Sequence, residues 1–191
     1  MDLKALNPKA FQMWEMRKAG GPAYFQPSSD EDISEIEDLV DSELPEDYKT
    51  FLSEYSTLGV VPTIGAYHFP CRFKDRSVIA GAFALVPWAK LTISAIKVLH
   101  NPHRGMEGVG PRVPKDLLPL TYDNQATLLI DLRSDSFGHI HFLPVIKKRT
   151  FGTRGYGWDN IGHVAPSFTD FLKELGTEDE LRSRYPGWAL M

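Results

Sequence analysis

The chain has 191 residues, 42% of them apolar and 24% charged, a balance that suits one folded domain and excludes a wholly disordered polymer. A net charge of −4 argues against a general nucleic-acid binder, which is usually basic, and a single cysteine, Cys71, excludes an internal disulfide. The first twenty residues lack the apolar core of a secretory leader, and the longest apolar run, Val78–Trp88, is too short to span a bilayer, so a soluble cytoplasmic protein is expected.

Leu3 to Ala19 reads as a helix, with Leu6, Ala10, Met13 and Trp14 at helical spacing and Gly20-Gly21-Pro22 as its stop. Residues 1–25 are expected to form an N-terminal extension to one domain over residues 26–191. After a polar linker through Pro27, Ser29 lies three residues before Asp32 and approximates a capping signal, with Asp30 to Asp32 suited to the positive end of a helix. Ile33, Ile36 and Val40 then recur at i, i+3 and i+7, leaving the acids mostly on the other face. Pro45 suits the first turn of the next helix, which buries Tyr48, Phe51, Leu52 and Tyr55 and stops at Gly59.

From Val60 the pattern becomes strand-like, with strands expected over Thr63–Phe69 and Ser77–Val86. Pro87 starts another helix, with Trp88, Leu91, Ala95, Ile96 and Leu99 as its apolar face, followed by a Gly/Pro loop over Asn101–Pro114. Three further strands follow at Leu117–Tyr122, Thr127–Leu132 and His139–Ile146; in the middle one Leu128, Ile130 and Leu132 share one face, Leu129 and Asp131 the other. Lys147–Trp158 is a basic, Gly-rich loop, and a last helix begins near Ser167, buries Phe168, Phe171, Leu172 and Leu175, and ends at Gly176. Helices, then a sheet interrupted by a helix, then helices, with short links between the later strands, predict an α+β fold with a largely antiparallel sheet flanked by N- and C-terminal helices.

Charge is distributed unevenly along this path. Ten acids lie between Asp30 and Asp47, and no lysine or arginine lies between Lys18 and Lys49; the rest of the chain holds all 21 bases and 15 acids. The segment is either a solvated helix face or a negative surface that steers a basic partner, for which Asp30, Glu31, Asp32, Glu35, Asp38 and Asp41 are the candidate contacts.

Strings that suggest chemistry lack the company the chemistry needs. His139 and His141 share one strand face and could give two metal ligands, but no third is fixed beside them by local spacing, so they read as half-exposed sheet histidines and no metal is expected. Ser94-Ala-Ile-Lys97 matches the S-x-x-K string of serine acyl-transfer enzymes without its companion strings. Gly105/Gly108/Gly110 and Gly152/Gly155/Gly157 have the wrong order for a phosphate cradle. Lys147, Lys148, Arg149 and Arg154, interleaved with Phe151, Tyr156 and Trp158, could grip a polyanion or acidic patch, or the aromatics could simply anchor the loop. The acids of residues 30–47 are too wet for a catalytic dyad, and Cys71 carries no signature of a nucleophile. No catalytic constellation and no cofactor are implied. Were there a pocket, His139, His141 and Asp131 are where it would lie.

Two blocks carry a family resemblance. The first is ISEIEDLVD (33–41) followed by LPEDYKTFLSEYSTLG (44–59); the second is LLPLTYDNQATLLIDLR (117–133), FGHIHFL (137–143) and WDNIGHVAPSFTDFLKELG (158–176). Together they resemble the SUKH superfamily, which contains the Smi/Knr cell-wall regulators of yeast and many bacterial relatives. The resemblance spans most of residues 30–176 and implies an α+β domain. It also implies a non-enzymatic protein-binding role: in bacterial members, immunity proteins that neutralise toxins, often nucleases; in the yeast members, interaction hubs tied to glucan synthesis. For this chain the expected partner is a basic toxin domain bound by occlusion, with no direct nucleic-acid or membrane contact; the alternative is a regulatory scaffold. Ser56-Thr57-Leu58-Gly59 and Asn124-Gln125-Ala126-Thr127 depart from the family's glycine-containing turns.

Overall fold

The computed structural model describes residues 1–20, 27–55, 68–81, 88–101, 109–120 and 126–191. The expected turns at 56–59 and 124–125, and the strand residues expected at 63–67 and 82–86, lie outside these. The fold is α+β: among the described residues it has seven α-helices and a seven-stranded sheet in the spatial order β3-β4-β5-β6-β1-β2-β7. The strands are β1 (His68–Arg72), β2 (Ser77–Gly81), β3 (Leu117–Pro119), β4 (Thr127–Asp131), β5 (Ile140–Leu143), β6 (Gly162–Ala165) and β7 (Ala189–Leu190). Neighbours pair antiparallel except β2 and β7, which are parallel.

The helices are α1 (Leu3–Leu6), α2 (Pro8–Ala19), α3 (Asp30–Val40), α4 (Glu46–Glu54), α5 (Ala89–Leu99), α6 (Phe168–Glu174) and α7 (Glu178–Arg184). The single helix expected over 3–19 is two. Pro8 has no N–H to continue the first helix, and Asn7 uses its side chain instead. Its Oδ1 accepts from the Ala10 N–H at 3.0 Å, while its Nδ2 donates to the carbonyls of Leu172 and Leu175 at 2.7 and 3.0 Å. One buried amide thus starts α2 and satisfies the end of α6. Pro45 stands as the N-cap of α4 rather than within its first turn, its carbonyl accepting from Tyr48 and Lys49. In α5 the apolar face is rotated from the expected one. Ala89, Thr92, Ile93, Ala95, Ile96 and Leu99 are buried, whereas Trp88 and Leu91 are only half-buried. A threonine can sit there because its hydroxyl is satisfied by Tyr48 Oη at 3.1 Å and the Leu120 carbonyl at 2.9 Å.

The sheet has two unlike faces. On one, Phe69, Cys71, Val78, Ala80, Leu128, Ile130, Ile140, Phe142 and Val164 pack under Ile33 and Ile36 of α3, Tyr48, Phe51 and Leu52 of α4, Ile93 and Ile96 of α5, and Phe168, Phe171 and Leu172 of α6. Leu3, Ala10 and Trp14 of α1 and α2 join this core, Trp14 edge-on to Phe51. On the other, a smaller cluster of Leu117, Leu129, Leu143, Ile161, Val113, Ile146 and Tyr156 covers only the β3–β4–β5 end. The helix-covered face depends on close backbone approach at β6: a Cβ on Gly162 would stand 2.3 Å from Cys71 Sγ and 3.0 Å from the Phe73 ring. No helix among the described residues is long and apolar enough to cross a membrane.

Candidate functional site

Two surfaces hold the residues that the sequence singles out, and they lie on opposite sides of the sheet. The first is α3. Ser29 accepts from the Asp32 N–H at 3.2 Å, and the Asp32 carboxylate accepts from the Ser29 N–H, closing a capping box with Asp30, Glu31 and Asp32 in the first turn. With Ile33 and Ile36 turned inward, Asp30, Glu31, Glu35 and Asp38 are exposed on the outer surface, and Asp41 follows as an exposed C-cap in the left-handed region at φ 52°.

Not all the acids of the run are available to a partner. Asp32 is half-buried in the cap, and Glu35 pairs with Lys97 of α5 at 2.8 Å. Glu37 accepts from the Leu44 N–H at 2.9 Å and lies near Lys49. Glu46 pairs with Lys49, and Asp47 accepts from the Thr169 N–H and hydroxyl at 2.8 and 3.0 Å, tying α4 to the start of α6. Asp30, Glu31, Asp38, Asp41 and Glu43 have no cationic partner among the described residues. Asp38 and Asp41 sit at the C-terminal end of α3, where the helix dipole disfavours negative charge and no basic residue occupies the last turn.

The second surface is the open middle of the other sheet face. The strand register sets His141 of β5 opposite His163 of β6, and His163 opposite Arg72 of β1. His139, one residue before β5, completes a cluster of three imidazoles with ring centroids 5.5 to 6.4 Å apart. His163 is the residue that sequence reasoning could not place, because strand pairing, not local spacing, brings it there. Even so, no group of three or more His, Cys, Asp or Glu side chains among the described residues is arranged to hold a metal ion.

Asp131 anchors this surface. Its carboxylate is fully buried and accepts five hydrogen bonds: Oδ1 from the Arg133 N–H and Nε, each at 3.0 Å, and Oδ2 from Arg133 Nη2 at 2.6 Å, Ser136 Oγ at 2.8 Å and His141 Nε2 at 3.2 Å. Burial opposes its ionisation, but the bonds from Arg133 and Ser136 outweigh that and draw the carboxyl down to about 2. The Asp131 backbone closes the same turn, accepting from Gly138 and donating to His139; Gly138 has φ 85°, a conformation that a side chain would strain. Burial holds His141 below the usual histidine range against the pull of Asp131, and burial with the neighbouring His141, His139 and Arg72 does the same to His163.

The basic loop is largely tied to itself. Lys147 donates to the Gly155 carbonyl at 2.6 Å and Arg149 to that of Arg154 at 3.2 Å. Tyr156 is buried and donates to the Arg112 carbonyl at 2.7 Å, with Phe151 edge-on to both Tyr156 and Trp158. Trp158 alone of the three is exposed, at 47%, with the Arg133 guanidinium 4.5 Å from its ring centre. Of the other strings, Ser94 is exposed and Lys97 is paired with Glu35 instead of serving it as a base; Gly105 and Gly108 lie outside the described residues. Burial raises the Cys71 thiol to about 12, far from a reactive nucleophile.

On this α+β domain the candidate sites are thus an exposed acidic helix face and a half-buried cluster of imidazoles beside a buried carboxylate. The SMI1/KNR4 family (SUKH-1) model matches residues 27–174, which run from the start of the α3 cap to the end of α6, and the chain belongs to that family. α1, α2, α7 and β7 lie outside the match. No curated protein matches the chain.

Proposed function

We propose that the chain is a non-enzymatic protein-binding domain that neutralises a cognate toxin by occluding it, with the exposed acids of α3 as the contact for a basic partner. The observation that carries this reading is the cluster of exposed carboxylates with no cationic partner among the described residues, at Asp30, Glu31, Asp38 and Asp41. Two of these, Asp38 and Asp41, stand at the helix end whose dipole disfavours negative charge. Membership in a family of interaction domains is consistent with it. Such a surface captures a basic nuclease-like domain quickly and with strong salt dependence. Asp32 and Glu35 contribute field more than contact, since each is already engaged within the chain.

The second reading is a regulatory scaffold of the Smi/Knr type, with several protein partners and the same absence of catalysis. Co-expression separates the two. A basic partner captured by the chain is produced in a bacterial host with and without it. Immunity predicts that the partner alone arrests growth and that the full chain restores it. A harmless partner contradicts the toxin reading and favours the scaffold. On either reading the chain acts in the cytoplasm, and the N-terminal extension expected over residues 1–25 works as part of the domain, since Leu3, Ala10 and Trp14 share its core.

A further inference from the structure

On the open sheet face, Arg72, His163 and His141 form a line across β1, β6 and β5, each the direct cross-strand neighbour of the next. His141 is already bonded to the buried Asp131 carboxylate, which leaves Arg72 and His163 as the neighbouring pair with no anionic partner among the described residues. Arg72 is exposed; its guanidinium rests 5.2 Å from the Trp188 ring centre and makes no ion pair among the described residues.

The surroundings have already paired off their own negative charge. Arg72 and His163 line an open cavity of about 280 Å³ with Pro70, Asp170, Lys173 and Glu174. Asp170 there is paired with Lys173 at 2.9 Å and bonded to Ser167, and Glu174 with Arg184 at 3.3 Å and the Tyr185 hydroxyl at 2.8 Å. On the far side Asp131 is saturated by its five donors, and Asp159 pairs with Lys74 at 3.3 Å. His139 adds a third imidazole 5.5 Å from His163, and the exposed Trp158 offers an aromatic surface beside Arg133.

We infer that this trough is a docking site for an acidic segment of a protein partner, one carboxylate being received between Arg72 and His163. The occupant follows from charge and size. The line spans two strand spacings, about 10 Å, which fits one or two acidic groups. The chain's net charge of −4 disfavours a polyanion. A carboxylate between Arg72 and His163 stabilises the protonated ring, so docking takes up a proton. Affinity therefore rises as pH falls through the bound-state value and levels off below the free one. This site is separate from the acidic face of α3 and does not depend on its role.

The test is calorimetric titration of the full chain with a blocked hexaglutamate peptide at pH 6 and pH 8, in two buffers of different ionisation enthalpy. Binding at pH 6, at least ~10-fold weaker at pH 8 and accompanied by proton uptake, is the expected result. Arg72→Ala and His163→Gln are expected to weaken it ~5-fold or more each, and Lys148→Ala with Arg154→Ala to leave it unchanged, since those loop bases lie outside the trough. Absence of binding at both pH values overturns the inference. So does equal loss in the loop variant, which marks unspecific charge attraction. Equal affinity for hexathymidylate, which marks a general anion surface, also overturns it. Asp30→Asn with Asp38→Asn alters none of these outcomes, so the inference and the toxin-binding reading fail independently.

Discussion

The two faces of the sheet use charge in opposite ways. Over the helices, an apolar layer of Ile33, Ile36, Phe51 and Phe168 carries the packing, and Asp30, Glu31, Asp38 and Asp41 stand outside it. On the open face the charged groups themselves are structural: Asp131 is buried and closes the β4–β5 turn through Arg133, Ser136 and His141. Asp38 and Asp41, on the first face, hold no side-chain hydrogen bond or ion pair among the described residues, whereas the Asp131 carboxylate on the second holds five hydrogen bonds. The first is therefore free to answer to a partner, and this difference can be measured.

The largest contrast is expected at Asp131. Asp131→Ala leaves His141, Ser136 and Arg133 without their common acceptor and should destabilise the domain by about 3 kcal/mol in urea unfolding. A change under about 1 kcal/mol would show that solvent replaces the carboxylate and that the network is not structural. Next is Gly162→Ala, whose new methyl group would stand 2.3 Å from the buried Cys71 Sγ, so that one of the two must shift. A loss of about 2 kcal/mol is expected, recovered in part by adding Cys71→Ala, as a double-mutant cycle would show.

Acid should unfold the open face in two stages. His141 and His163 titrate below the ordinary histidine value when folded, so the unfolded chain binds their protons first. Stability is full above about pH 6.5 and declines as pH falls below it. Asp131, held near 2 in the fold, contributes stability present above its ordinary value of 3.8; about 2 kcal/mol of it is lost as pH falls from 4 toward 2. In His141→Gln with His163→Gln the first decline should be reduced and the second retained. The smallest effect belongs to the acidic face: Asp38→Asn should change stability by no more than about 0.5 kcal/mol, and upward, because it relieves the helix dipole. A loss there would give Asp38 a structural task and weaken the comparison.

The helical face was nearly all legible in the sequence because its signals are local. The Ser29/Asp32 cap, the Ile33–Ile36–Val40 spacing and the Tyr48–Phe51–Leu52 and Phe168–Phe171–Leu172 patterns each lie within one helix, and each marks an element found. The break at Asn7-Pro8 was written in the chain as an Asn-Pro pair, but apolar spacing ran through it. α5 misled because a buried Thr92 takes its partners from Tyr48 and Leu120, both distant in sequence. β6 escaped notice because Gly162-His-Val-Ala is a short strand whose glycine answers to Cys71, far away in the chain. With β6 went His163, and with His163 the imidazole cluster. β7 is two exposed residues, and α7 is seven residues, about two turns, with one buried side chain, Leu181. Neither has a periodic signal long enough to read.

The central claim is that the outer surface of α3 is where a partner docks. The most direct test is parallel capture from host lysate with the wild-type chain and with Asp30→Asn, Glu31→Gln, Asp38→Asn, Asp41→Asn combined, after confirming that both fold alike. The account predicts one basic chain held by the wild type, released by high salt, and missing or greatly reduced with the variant. The same proteins retained equally by both would contradict it.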